Sequence, residues 1–208
     1  MMRRFLQNRR LLVYRFDGSS PVVPPLEDGL RYVVLDQDTI DSCFGNRMED
    51  MNRRRTYQRF VARGCVGMAI AKGEDWASVG WVSHPGSPPP PHLTRKIIGP
   101  DVLWTFYVHT REGFRGLGLQ KAGLAFRIRL ARSVIGDEHA SVYSDVAPDN
   151  TASRRAKIHV GFVSAGQLAV TTMRIPRLGG VTIGSWDRDV EHVPLNATRE
   201  PEAIGDAS

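Results

Sequence analysis

The sequence predicts an α/β fold built on a mixed sheet, and three observations carry that reading. Segments rich in β-branched and aromatic residues interleave with segments at helical spacing, in the order β, α, α, β, β, β, α, β, α, β, β. One stretch, Asp101 to Leu124 (DVLWTFYVHTREGFRGLGLQKAGL), runs from an apolar strand through a glycine-rich turn into a helix. No internal repeat or second core divides the 208 residues, so one domain with short extensions is expected.

Taken in order, residues 1 to 10 read as a basic arm and Leu11 to Phe16 as a short strand. Asp17 to Asp28, with Gly18, Pro21, Pro24 and Pro25, is a loop. Leu30 to Leu35 reads as a strand, after which Asp36 or Asp38 caps a short helix through Phe44. Met48 to Ala62 is a second helix ended by Gly64, with Arg53, Arg54 and Arg55 as its solvated face. Cys65 to Ala71 and Trp76 to Ser83 form a hairpin around Lys72-Gly73-Glu74-Asp75. His84 to Pro100, with four consecutive prolines from Pro88 to Pro91, is a long and stiff loop.

After the strand Val102 to Thr110 and the turn, a helix from Leu119 to Ile135 shows Leu124, Ile128, Ala131 and Ile135 on one face. Lys121, Arg127 and Arg132 take other faces, and Gly136 stops the helix. In the next strand, His139 to Val146, Val142 and Val146 share one face and Tyr143 and Asp145 the other. Asp149 or Asn150 caps a helix to about Val160, and Gly161 to Ile175 with Val181 to Trp186 supply the closing strands. Asp187 to Ser208 reads as a disordered tail. The expected organisation is therefore 1–29 as arm, first strand and loop, 30–186 as the main domain, and 187–208 as tail.

Composition bounds the function. Charged residues at 24% and hydrophobic ones at 41% are ordinary for a globular protein, and a net charge of +6 favours anionic partners. The two cysteines, Cys43 and Cys65, lie far apart without metal-like neighbours, which points to a reducing compartment and no disulfide framework, and no metal site is expected. No apolar run reaches membrane-span length, the basic start lacks a signal-peptide core, and a cytoplasmic location is expected. Nucleic acid is disfavoured, since no aromatic-interleaved basic motif accompanies the arginines.

The turn Arg115-Gly116-Leu117-Gly118 lets backbone N–H groups approach an anion, and the following helix adds the positive end of its dipole. It is neither the dinucleotide fingerprint nor the triphosphate loop. Arg115-x-x-Gly118 resembles the Arg/Gln-x-x-Gly-x-Gly/Ala turn of the GNAT superfamily of N-acetyltransferases, which holds the pyrophosphate of acetyl-CoA. Asn150 to Phe162 (NTASRRAKIHVGF) is similar to the same family's asparagine, small residue three on, helix, and Gly-Phe opening the next strand.

The resemblance implies a mostly antiparallel central sheet flanked by helices, and transfer of an acetyl group from acetyl-CoA to a primary amine by direct attack in a ternary complex. The acceptor is expected to be a small molecule rather than a protein, and a homodimer fits the reading. Cofactor contacts are expected from Val108 and Thr110 on a strand splayed from its neighbour, from Arg115, Gly116, Leu117, Gly118, Leu119, Gln120 and Lys121 (with Lys121 or Arg111 adding charge), and from Asn150 and Ser153. Catalytic candidates are Lys157, which stands where many members carry a thiolate-protonating tyrosine, Tyr143 as an alternative acid, and His109 as a base ahead of Glu112 or Asp145. The chain departs from the pattern at Gln120, whose side chain must turn away from a phosphate, at Glu112 in place of a proline, and at Lys157. The alternative is a protein of the same fold that binds acyl-CoA or a partner without catalysis.

Overall fold

The structure, a computed structural model, describes residues 6–44, 50–175 and 179–191. Eight strands form one sheet: β1 Leu6–Phe16, β2 Leu30–Leu35, β3 Val66–Lys72, β4 Asp75–Ser83, β5 Leu103–Thr110, β6 Val142–Val146, β7 Val163–Ile175 and β8 Gly179–Asp187. They lie in the order β2-β3-β4-β5-β6-β1-β7-β8. Every pairing is antiparallel except β5 with β6. Helices α1 Gln37–Phe44, α2 Met51–Ala62, α3 Arg95–Ile98, α4 Leu119–Ile135 and α5 Thr151–Val160 fill the connections.

Period-two alternation divides the core between the two faces of the sheet. On one face Leu11, Val13, Ala69, Trp81, Trp104 and Phe106 pack with Ile40 and Phe44 of α1 and Tyr57 and Phe60 of α2. On the other, Leu12, Tyr14, Leu103, Val142 and Val146 pack with Leu124, Ile128 and Ala131 of α4 and with Phe162. Both cysteines are buried and unpaired, Cys43 in α1 and Cys65 at the start of β3. The Gly67–Trp81 cross-strand pair shows how closely the hairpin packs. A Cβ at Gly67 would meet the Trp81 ring at 2.6 to 2.8 Å.

Several sequence expectations are revised. Leu6–Arg10 do not form an arm; they are the first half of β1, which sits between β6 and β7, so Leu6–Phe16 belong to the sheet. Its partner strands come more than a hundred residues later, which local patterning cannot reveal. The loop after β4 contains the short α3, and the expected strand from His139 begins only at Val142. Arg53 is not simply solvated: it lies over the Trp76 ring at 5.1 Å and 3.8 Å from Asp50. Arg127 and Arg132 of α4, expected on outer faces, are each only 1% exposed. Of the expected tail only residues 187–191 are described; 192–208 lie outside the described residues, as do 1–5 of the arm.

Candidate active site

Strands β5 and β6 pair only from Leu103–Val142 to Thr105–Ser144 and then part. Beyond the fork, β5 is held on one side alone, by His109–Val79 and Thr110–Ser78 of β4. Between these pairs and Phe106–Trp81 the register slips by one residue on the β5 side. That bulge contains Tyr107, the one non-glycine residue with positive φ (50°) among those described. A left-handed tyrosine costs of order 1 kcal/mol or more, and such strain persists where the surroundings impose it. Tyr107 is held edge-on against Tyr57 and Phe60. The bulge turns the open edge of Val108–Thr110 towards a cleft of about 840 Å³.

The cleft is walled by Val108, His109 and Thr110, by Phe114 to Lys121 apart from Leu117, and by Asn150, Ala152, Arg155, Ala156 and His159 of α5 and its cap. Its glycine turn is shaped by Gly116 (φ 86°) and Gly118 (φ 69°), both left-handed, as the tight entry into α4 requires. Gly118 is the N-cap residue and no side chain caps α4, so the first-turn amides face the cleft beside Arg115 and Lys121. Leu117, absent from the cleft wall, lines a second cavity of about 500 Å³ together with Lys121 and with Pro21 to Glu27 (except Val23).

A relay of side chains ties the turn to α5. Asn150 Oδ1 accepts from Ser153 N at 3.1 Å and caps α5. Ser153 Oγ receives Gln120 Nε2 at 3.0 Å and Lys157 Nζ at 3.0 Å. Gln120 is thus turned onto α5 and away from the backbone of the turn. With two donors on its oxygen, the Ser153 hydroxyl has its own hydrogen left to give. Lys157 is 5% exposed. Burial lowers its pKa from 10.5 to about 8, Asp145 opposing and Arg127 adding to the shift.

Asp145 follows Ser144 directly, at the fork. Its Oδ2 accepts from His92 Nε2 at 3.0 Å and its Oδ1 from Trp104 Nε1 at 2.7 Å. Burial alone would raise this carboxyl, but the bond and charge of His92, the Trp104 N–H and Lys157 outweigh it and hold the pKa below the ordinary carboxylate value.

The other candidates fall as follows. His109 lines the cleft, its pKa lowered by burial and then by Arg53 and Arg115, which favours the neutral ring. Tyr143 stands apart from the cleft, stacked on Trp104 at 5.7 Å and edge-on to Trp186 at 5.2 Å, lining a separate cavity of about 220 Å³. Arg111 is drawn off to Asp75 at 3.4 Å and to Asp50 at 3.8 Å rather than towards the turn. Glu112 opens a 3-10 turn, Glu112–Phe114. Sequence reasoning missed His92 and the α5 residues Arg155 and His159. Ala152, Arg155, Ala156 and His159 stand at the i, i+3, i+4, i+7 spacing of one helical face, which was the available signal. Among the described residues no helix is long and apolar enough to cross a membrane.

No protein-family model matches the chain, and no curated protein matches it in sequence. Solved structures do. A Drosophila protein is similar with a TM-score of 0.56 at 12% identity, over 82% of this chain and 52% of its own. A tandem GNAT protein from the clavulanic acid biosynthesis pathway gives 0.54 at 15%, over 87% and 55%. An acetyltransferase of the GNAT family from Colwellia psychrerythraea gives 0.51 at 13%, over 80% and 55%. The chain therefore spans about half the length of each. The mixed, mostly antiparallel sheet flanked by helices is the GNAT fold.

Proposed function

We propose that the protein is an acyl-CoA-dependent N-acyltransferase that moves an acetyl group from acetyl-CoA to a primary amine of a small molecule. The observation that carries this reading is the cleft at the β5–β6 fork, where an uncapped α4 start with two left-handed glycines faces an open strand edge. The fold supports it, because the same fold occurs in proteins described as GNAT acetyltransferases. The pyrophosphate would rest on the amides of Gly116 to Gln120 with Arg115 and Lys121 as counter-charges. The pantetheine arm, a chain of amides, would run between Val108–Thr110 and Asn150, accepting the spare hydrogen of Ser153.

The thioester then lies in the fork. The amine nitrogen attacks the acyl carbon, the C–N bond forms, the C–S bond breaks, and the thiolate leaves. Holding both reactants in line can contribute several kcal/mol. An open N–H of the Val108–Thr110 edge facing the developing oxyanion contributes about 3 kcal/mol more. Lys157, poised near pH 8, supplies a proton or a positive charge to the leaving sulfur.

Calorimetric titration with acetyl-CoA and with CoA, followed by free-thiol release against a panel of amines, tests this. Saturable binding with turnover is expected. Binding without turnover on any amine would favour an acyl-CoA binder of the same fold, and absence of binding would end the reading.

A further inference from the structure

The cleft assigned to acetyl-CoA opens between α4 and α5. Asp145 projects to the opposite face of the sheet, the one its neighbours Trp104 and Tyr143 share with α1 and α2. There His92, carried by the proline-rich loop between β4 and α3, closes on Asp145. The ring is partly exposed, at 26% of its side chain. The carboxylate can only accept, so Nε2 carries the hydrogen of that bond and the lone pair of Nδ1 points outward. Among the described residues Nδ1 has no partner. Trp104, 0% exposed, fixes the other carboxylate oxygen, so the acid cannot swing away. Asp145 directly follows Ser144, the last residue of β6 paired with β5, so the carboxylate stands where the two strands part, and the charge of Lys157 on α5 acts on it as well.

We propose that His92 is the general base of the transfer, held in its Nδ1-accepting tautomer by Asp145 as positioning residue, and that the acceptor is an aliphatic primary amine. The proposal rests on the acyltransferase reading. An aliphatic amine is a cation at neutral pH, with an ordinary pKa of about 10, and must lose a proton to expose its lone pair. An aromatic amine is already neutral and needs no such help. The ammonium gives one proton to Nδ1 of His92, which frees the lone pair for attack, and once the C–N bond has formed the second proton leaves nitrogen for water. The electron pair of the broken C–S bond leaves on sulfur, which Lys157 protonates; His92 and Lys157 then exchange protons with water.

Asp145→Asn is the informative variant. The amide oxygen still accepts from Trp104, but its NH₂ now faces His92, so the ring must carry its hydrogen on Nδ1 and lose the outward lone pair. His92→Gln removes the ring while keeping a donor for Asp145. The measurements are the ¹⁵N-detected tautomer of His92, acetyl-CoA affinity by calorimetry, and free-thiol release with propylamine, glucosamine, spermidine and aniline. We expect Nε2–H in the parent protein and Nδ1–H in Asp145→Asn. With an aliphatic amine that turns over, kcat should fall about 100-fold or more in both variants, acetyl-CoA affinity should hold within about threefold, and any turnover of aniline should be spared. An Nδ1–H tautomer in the parent protein, or kcat retained in Asp145→Asn, overturns the base assignment alone. Equal losses with aniline overturn the aliphatic acceptor. Failure of the parent protein to bind acetyl-CoA overturns the acyltransferase reading and this proposal with it.

Discussion

Lys157 and Arg127 are both cations buried beneath the sheet, and their surroundings give them different consequences. Lys157 has Ser153 and the field of Asp145, so its charge is supported near neutrality and lost as pH rises through about 8. If the protonated lysine aids the thiolate, kcat should fall above pH 8. In Lys157→Met that limb should vanish and the plateau should drop by about 10- to 100-fold at little cost in CoA affinity. A flat profile in the parent protein would make Lys157 a structural residue. Among the described residues Arg127 meets no carboxylate: Nη1 reaches only the Met68 sulfur at 3.7 Å, and Nε has no partner. Arg127→Met should therefore leave thermal stability unchanged or raise it, by up to about 1 to 4 kcal/mol. The guanidinium lies over Gly80, where a Cβ would stand 2.7 Å from Cζ. Gly80→Ala should cost about 1 to 3 kcal/mol in the parent protein and much less beside Arg127→Met, a coupling that a double-mutant cycle in denaturant would read. Neither burial was legible in the sequence. Helical periodicity sorts residues by polarity and sends every arginine to solvent, whereas Arg132 is drawn inward by Gly18 O at 2.9 Å and Ala140 O at 3.0 Å.

At the scale of elements, the strand, turn and helix from Leu103 to Ile135 and the capped helix after Asn150 were readable because each is specified locally. Glycine at a left-handed position, asparagine at an N-cap and apolar residues every third or fourth position all act within a few residues. Gly118→Val tests the turn. Its φ of 69° is strained for a β-branched residue, so acetyl-CoA affinity should fall at least tenfold, read by calorimetry, while α4 and its packing persist in the circular dichroism spectrum. Unchanged affinity would remove the turn from the binding site. The fork was only partly legible. A splayed strand could be expected from the resemblance, but the bulge at Tyr107 depends on register with β4. The pairing of His92 with Asp145, 53 residues apart, depends on where a long loop returns. Loop trajectories are set by tertiary packing, and no periodicity announces them.

Across the whole molecule the least legible feature was β1. A strand that begins in a basic segment, Gln7-Asn8-Arg9-Arg10, looks peripheral, yet it joins β6 to β7 and β8 in one sheet. Its partners lie 126 to 167 residues downstream, as in Phe16–Val142 and Leu6–Met173, so the sheet closes only after nearly the whole chain has been made. Deleting residues 1–16 should therefore leave two unpaired strand edges at the sheet's middle and yield insoluble protein, while soluble and cooperatively melting protein would show β7 and β8 to be dispensable additions. The burial of both thiols has a practical consequence for every kinetic test above. Burial raises the Cys65 pKa, and Cys43, on the buried side of α1, is 5% exposed. A chromogenic disulfide reagent added to the native protein should meet a silent background, so in a thiol-release assay each equivalent of colour counts one molecule of released CoA.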